Sequence, residues 1–122
     1  MILVDTSVWV DHLRSSETLL ANLLERDFVV IHELVIGELA CGNLNNRNEI
    51  LSLLSSLPRC SPASHEEVLF FIESKGLMGR GVGYIDNALL TAAVMNDLTI
   101  WTRDKRLLTL ATELGCVFQA QT

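Results

Sequence analysis

Three short, largely apolar runs, Ile2–Asp5, Phe28–Ile31 and Leu98–Thr102, are each separated from the next by segments of helical period. This alternation constrains the fold most. Strands separated by helices have the connections that parallel pairing needs and lack the tight turns of hairpins. Stretches such as FVVI and LTIW are apolar at consecutive positions, as expected of strands covered on both faces. The pattern predicts an α/β fold with a mostly parallel central sheet. At 122 residues, one domain spanning 1–122 with a real core is expected.

Local signals place the remaining elements. Thr6 or Ser7 can cap a helix over Val8–Leu13, and Glu17–Arg26 follows with Leu19, Leu20, Leu23 and Leu24 on one face. A helix over Glu33–Cys41 should stop at Gly42-Asn43, and Glu49–Leu57 presents Ile50, Leu53, Leu54 and Leu57. Ser64 and Glu67 fit a capping box, with Gly76 as the stop of that helix. Helices over Asp86–Met95 and Lys105–Leu114 flank the third strand. Brief strands are expected at Arg59–Ser61 and Cys116–Gln119. The leucines of the second and fourth helices look like more apolar surface than so small a chain can bury, which suggests a homodimer.

Four acids recur near the strand-to-helix junctions. Asp5 ends the first strand in MILVDTSVWVD. Asp86 opens a helix in GVGYIDNALLTAA, and Asp104 lies just past the third strand in IWTRDKRLL. Glu38, in VIGELACG, sits within a helix and must reach inward. In open α/β sheets the carboxyl ends of strands form the binding crevice, so the four can share one address. Gathered there, they repel one another unless protons or a divalent cation neutralise them. Mg²⁺ or Mn²⁺, as one or two ions, and phosphodiester hydrolysis follow most readily. Thr6, Ser7 and Thr102 offer hydroxyls that orient a carboxylate or water, or that simply cap the backbone. Arg80, Arg103 and Lys105 are candidate phosphate contacts, with solvated surface charge as the rival reading.

Other signals carry less chemistry. His32-Glu33 and His65-Glu66 do not continue as HExxH, and His12 has no zinc-like spacing with the cysteines. Gly79, Gly81 and Gly83 form a flexible loop and not a phosphate-binding GxxxxGK[ST]. Trp9 and Trp101 fit core packing, whereas Tyr84 adjoins both the loop and Asp86. Cys41, Cys60 and Cys116 are odd in number and include no CxxC, as in reduced cytoplasmic proteins. No apolar run approaches the roughly 18 residues of a membrane span, so neither a span nor a signal peptide is expected.

Taken in order, these segments resemble the PIN-domain family, specifically the VapC-like toxin ribonucleases of toxin–antitoxin pairs. The resemblance runs from MILVDTSVWVD through VIGELACG and GRGVGYIDNALLTAA to WTRDKRLL. Asp5, Glu38, Asp86 and Asp104 match that family's acidic positions, and Thr6 or Ser7 and Thr102 match its neighbouring hydroxyls. The resemblance implies a three-layer α/β/α sandwich, Mg²⁺- or Mn²⁺-dependent RNA cleavage and homodimerisation. It also implies inhibition by a small VapB-like antitoxin, which would carry operator DNA binding.

The rival readings are a phosphomonoester phosphatase, a receiver domain and a non-catalytic interaction domain. DTS lacks the second aspartate of a phosphatase DxD, and Pro58–Ser64 lacks a phosphoacceptor aspartate. A net charge of −6 opposes free RNA binding. Cation-filled acids and a basic partner would both soften that opposition.

Overall fold

The computed structural model describes residues 1–119. The chain runs β1 (Ile2–Val4), α1 (Thr6–Ser15), α2 (Thr18–Glu25), β2 (Val29–Val30), α3 (Glu33–Ala40) and α4 (Arg47–Ser55). It continues through α5 (His65–Lys75), α6 (Tyr84–Met95), β3 (Thr99–Trp101) and α7 (Lys105–Glu113). The three strands form a parallel sheet in the order β2-β1-β3. Single bridges, Ile31 to Arg59 and Ile100 to Val117, extend it on either side. The strands expected at Arg59–Ser61 and Cys116–Gln119 are therefore reduced to one pairing each.

Strand residues alternate between the two faces of a sheet, yet Ile2, Leu3 and Val4 are all buried. Helices must therefore cover both faces, which makes the architecture an α/β sandwich. Helix α6 is its most enclosed element: every residue from Asn87 to Ala93 is buried. Small side chains at Ala88, Ala92 and Ala93 allow close packing on several sides of this helix. Its two polar members are tied locally, Asn87 Nδ2 to the Gly83 carbonyl at 3.1 Å and Thr91 Oγ1 to the Asn87 carbonyl at 2.7 Å.

Several boundaries differ from the sequence expectation for identifiable reasons. Helix α1 begins at Thr6, so its N-cap is Asp5 and neither Thr6 nor Ser7; the Asp5 carboxylate accepts from the Ser7 and Thr102 hydroxyls and makes no capping bond. Helix α6 starts two residues before Asp86, with Gly83 as N-cap. The Ser64–Glu67 capping box and the left-handed Gly76 stop form as expected. The apolar surplus proposed for α2 and α4 is mostly absorbed: Leu23 and Leu54 are buried, and Leu19 and Leu57 pack against the core. Leu53 alone among these stays largely exposed.

The order β2-β1-β3 puts β1 in the middle, with chain connections leading to opposite sides of it. That is the switch point where an α/β sheet opens a crevice. Asp5 follows β1 directly, and its amide continues the ladder by donating to the Trp101 carbonyl at 2.9 Å. The sheet thus fixes the first acid.

Candidate acidic active site

Asp5 is 5 % exposed and carries the most elaborate support in the crevice. Ser7 Oγ and Thr102 Oγ1 each donate to its Oδ2 at 2.8 Å. Each hydroxyl is in turn an acceptor: Ser7 Oγ from the Arg103 amide at 3.0 Å, and Thr102 Oγ1 from the Asp104 amide at 3.1 Å. Two backbone N–H groups after β3 are therefore relayed through two hydroxyls onto one carboxylate oxygen. A hydroxyl that accepts is a better donor, so the relay strengthens both bonds to Asp5. Oδ1 has no hydrogen bond among the described residues.

The other acids arrive from three helices. Glu38 lies on α3, and its Oε1 accepts from Thr6 Oγ1 at 2.6 Å, which ties α3 to the start of α1. Asp104 is the N-cap of α7, with Oδ1 accepting from the Arg106 and Leu107 amides, both at 3.0 Å. This satisfies orphan donors of the helix and leaves Oδ2 for other work. Asp86, half-buried in the first turn of α6, has a carboxyl raised from 3.8 to about 6. Burial is the largest cause, followed by the charges of Asp5, Asp104 and Glu38. Asp86 thus lies within the fields of the other three acids.

Among the described residues, no three His, Cys, Asp or Glu side chains close tightly around a single point. Three of the four carboxylates give one oxygen to a hydroxyl or backbone donor. The donor set still suits a hard divalent cation. It consists of carboxylate and hydroxyl oxygens, and the charges of Asp5, Asp104 and Glu38 add to burial in raising the Asp86 carboxyl. A cation there would relieve the repulsion.

The expected hydroxyls all lie in the crevice, Ser7 and Thr102 on Asp5 and Thr6 on Glu38. The expected phosphate contacts are divided. Arg80 forms a two-pronged pair with Glu113 at 2.5 and 3.1 Å. Arg103 is held between Asp11 at 2.5 Å and Glu17 at 2.8 Å. Lys105, the first residue of α7, is exposed and has no ion pair among the described residues. The histidines are local fixtures: His32 Nδ1 caps α3, His12 Nδ1 accepts from the Glu17 amide, and His65 Nδ1 lies 2.9 Å from the Tyr84 hydroxyl. Trp9 and Trp101 are buried in the core.

Sequence reasoning counts Arg106 only as one of the basic residues crowding around Asp104 and does not single it out as a phosphate contact. Its Nη1 donates to the Gly81 carbonyl at 3.3 Å, across the loop that leads into α6. A run of alternating glycines signals close approach, but nothing in the sequence says which side chain approaches.

A parallel α/β sandwich with an acidic crevice at the switch point of its sheet is a recognisable class. The PIN domain model matches residues 2–113, and the chain belongs to the PIN domain family. Among curated relatives it is 44% identical over 116 residues to ribonuclease VapC32 of Mycobacterium tuberculosis, in two strains, covering 94% of each chain. The crystal structure of PAE2754 from Pyrobaculum aerophilum shares the fold with a TM-score of 0.60 at 20% identity, covering 93% of this chain and 88% of that one.

Proposed function

We propose that this chain is a VapC-like endoribonuclease that hydrolyses RNA phosphodiester bonds at Asp5, Glu38, Asp86 and Asp104. One observation carries the assignment of residues: beyond the larger effect of burial, the Asp86 carboxyl is raised further by Asp5, Asp104 and Glu38 together. Four acids scattered through the sequence thus act as one electrostatic site. The ribonuclease reading itself is supported by near-full-length similarity to ribonuclease VapC32.

In this reading the acids hold one or two Mg²⁺ or Mn²⁺ ions. Such ions neutralise charge on a scissile phosphate and make an attacking water easier to deprotonate. Asp5, fixed by Ser7 and Thr102, is the central ligand. Asp86 and Asp104 face it from the starts of α6 and α7, and Glu38 adds a longer arm steadied by Thr6. Hydroxyl partners hold Asp5 and Glu38, and backbone amides hold Asp104, in one orientation, as outer-shell groups do at metal sites generally. The alternative of a phosphomonoester phosphatase gains no support from Ser7, which steadies Asp5 in the place where a DxD acid would stand.

The same reading makes the protein one PIN-like domain over residues 1–122, of which 120–122 lie outside the described residues. It would be cytoplasmic and homodimeric, and paired with a VapB-like antitoxin that carries operator DNA binding. No described helix is long and apolar enough to cross a membrane. The decisive experiment incubates a panel of RNAs with wild-type protein and Asp5→Asn, with Mn²⁺ or Mg²⁺ and with EDTA. Wild type should cleave only with metal, and Asp5→Asn should lose at least about 100-fold in rate, the usual scale for losing an electrostatic group at the reaction centre. Equal cleavage by the two proteins would trace the activity to a contaminant and end the assignment.

A further inference from the structure

We propose that Arg106 is the residue that grips the RNA phosphate backbone beside the acidic crevice, an inference that rests on the nuclease reading above. The observations that carry it concern where cationic charge is spent and where it is left. Arg80 and Arg103 are paired with Glu113 and with Asp11 and Glu17. Arg106 has no carboxylate partner among the described residues. Of its five guanidinium N–H donors, its one hydrogen bond uses Nη1, on the Gly81 carbonyl.

Its position is as informative as its freedom. The Arg106 amide donates to Asp104 Oδ1, while its guanidinium reaches the loop that delivers Asp86. One side chain thus spans from the Asp104 helix to the approach of the Asp86 helix. The loop is shaped to receive it. Gly81 has φ +83°, and a Cβ there would stand 2.8 Å from both Cδ and Nη1 of Arg106. The left-handed backbone calls for glycine, and the missing side chain leaves the space in which the Arg106 guanidinium rests.

Fold stability does not account for this arrangement. A cation in the first turn of a helix opposes the helix dipole, and Arg106 is the second residue of α7. Its single polar contact at 3.3 Å is a weak return. A planar fork pinned at one nitrogen and open at the others is instead suited to an anion such as a phosphodiester. Lys105, also uncommitted, offers only a mobile point charge without such a seat.

The test uses the full chain and a mixed-sequence single-stranded RNA. Steady-state cleavage is measured for wild type, Arg106→Gln and Arg106→Lys. Salt dependence of RNA binding is measured for the same substitutions in a non-cleaving Asp5→Asn background. Arg26→Gln removes an equal charge next to Phe28, at the amino-terminal end of β2 and far from the crevice, and serves as control. Arg106→Gln should raise KM about tenfold with kcat within about twofold, the scale of one charge-assisted hydrogen bond. It should also flatten the slope of log affinity against log salt by about 0.7, the value for one phosphate contact on a single strand. Arg106→Lys should keep the slope and recover part of KM; Arg26→Gln should change neither. An unchanged KM and slope in Arg106→Gln would overturn the proposal. So would a slope as flat in Arg106→Lys as in Arg106→Gln, which would assign the residue to packing on Gly81. Absence of metal-dependent cleavage by the wild type would instead defeat the nuclease reading, and this inference with it.

Discussion

Thr102 shows how much of the site rests on single atoms. Its hydroxyl is both the donor that holds Asp5 and the acceptor that holds the Asp104 amide, and the residue is 5 % exposed. Thr102→Val keeps the shape and removes both bonds. A stability loss of about 1–3 kcal/mol is expected, the cost of leaving buried partners unsatisfied. RNA cleavage should fall by about 10–100-fold, the usual consequence of losing an outer-shell partner. Thr102→Ser should restore most of both, and denaturant melts alongside cleavage rates will separate the two effects. Asp86 offers a second handle, through pH. Its carboxyl is raised to about 6 in the fold, so between its ordinary value and that point the folded protein binds more protons than the unfolded chain. Stability from this group is therefore fullest in acid and drains away as pH rises through about 6. In chelator, Asp86→Asn should lack that downward slope and melt a few degrees higher than wild type near neutrality. Mn²⁺ should stabilise wild type more than the variant. Parallel pH profiles of the two proteins would mean that Asp86 does not bear the repulsion of the other acids.

Among the elements, the helices were easier to read than the sheet. A helix announces itself through local period and caps, as the Ser64–Glu67 box on α5 does. The outer strands depend on partners distant in sequence: Arg59 pairs with Ile31 and Val117 with Ile100, each through a single bridge. Local composition cannot say where such a ladder stops. Turn chemistry also hid some boundaries. The turns after α2 and α6 use Asp27 and Asp97 in the left-handed conformation, where a glycine would have been the plainer signal. At the site, Asp5, Asp86 and Asp104 were legible because each stands beside a strand end or helix start, whereas Glu38 lies inside α3 and stood out only in company with the other segments. Their hydroxyl neighbours were legible as residue types, but the relay from the backbone through Ser7 and Thr102 to Asp5 was not. Charge was the least legible property. Arg80 and Arg103 look equivalent to Arg106 in sequence, and only the fold spends them on Glu113, Asp11 and Glu17. Partners that lie 33 to 92 residues away leave no local trace.

For the whole molecule, the question is how a chain of net charge −6 handles a polyanion. Long-range attraction is not available, so under the proposed reading affinity for RNA would rest on cations held in the crevice and on local contacts. The same charge makes the crevice a natural target for a basic protein segment. An arginine or lysine placed among Asp5, Glu38, Asp86 and Asp104 would offset their negative charge, as a divalent cation would, and the two would compete. This is the physical basis for expecting inhibition by a VapB-like antitoxin without unfolding of the domain. Assembly with a second copy is expected from the resemblance to VapC-like proteins. The apolar side chains left outside the core, Leu53 on α4 and Leu69 and Phe70 on α5, give it material to use. Sedimentation of the isolated chain at micromolar concentration should give a dimer; a stable monomer would reject that expectation alone. Adding the product of a neighbouring small open reading frame should reduce RNA cleavage, with recovery when the partner is digested away. Raising Mn²⁺ should shift the inhibition curve to higher partner concentration if partner and cation contend for the same carboxylates. Inhibition indifferent to Mn²⁺ would place the partner elsewhere on the surface and remove the crevice from its mechanism.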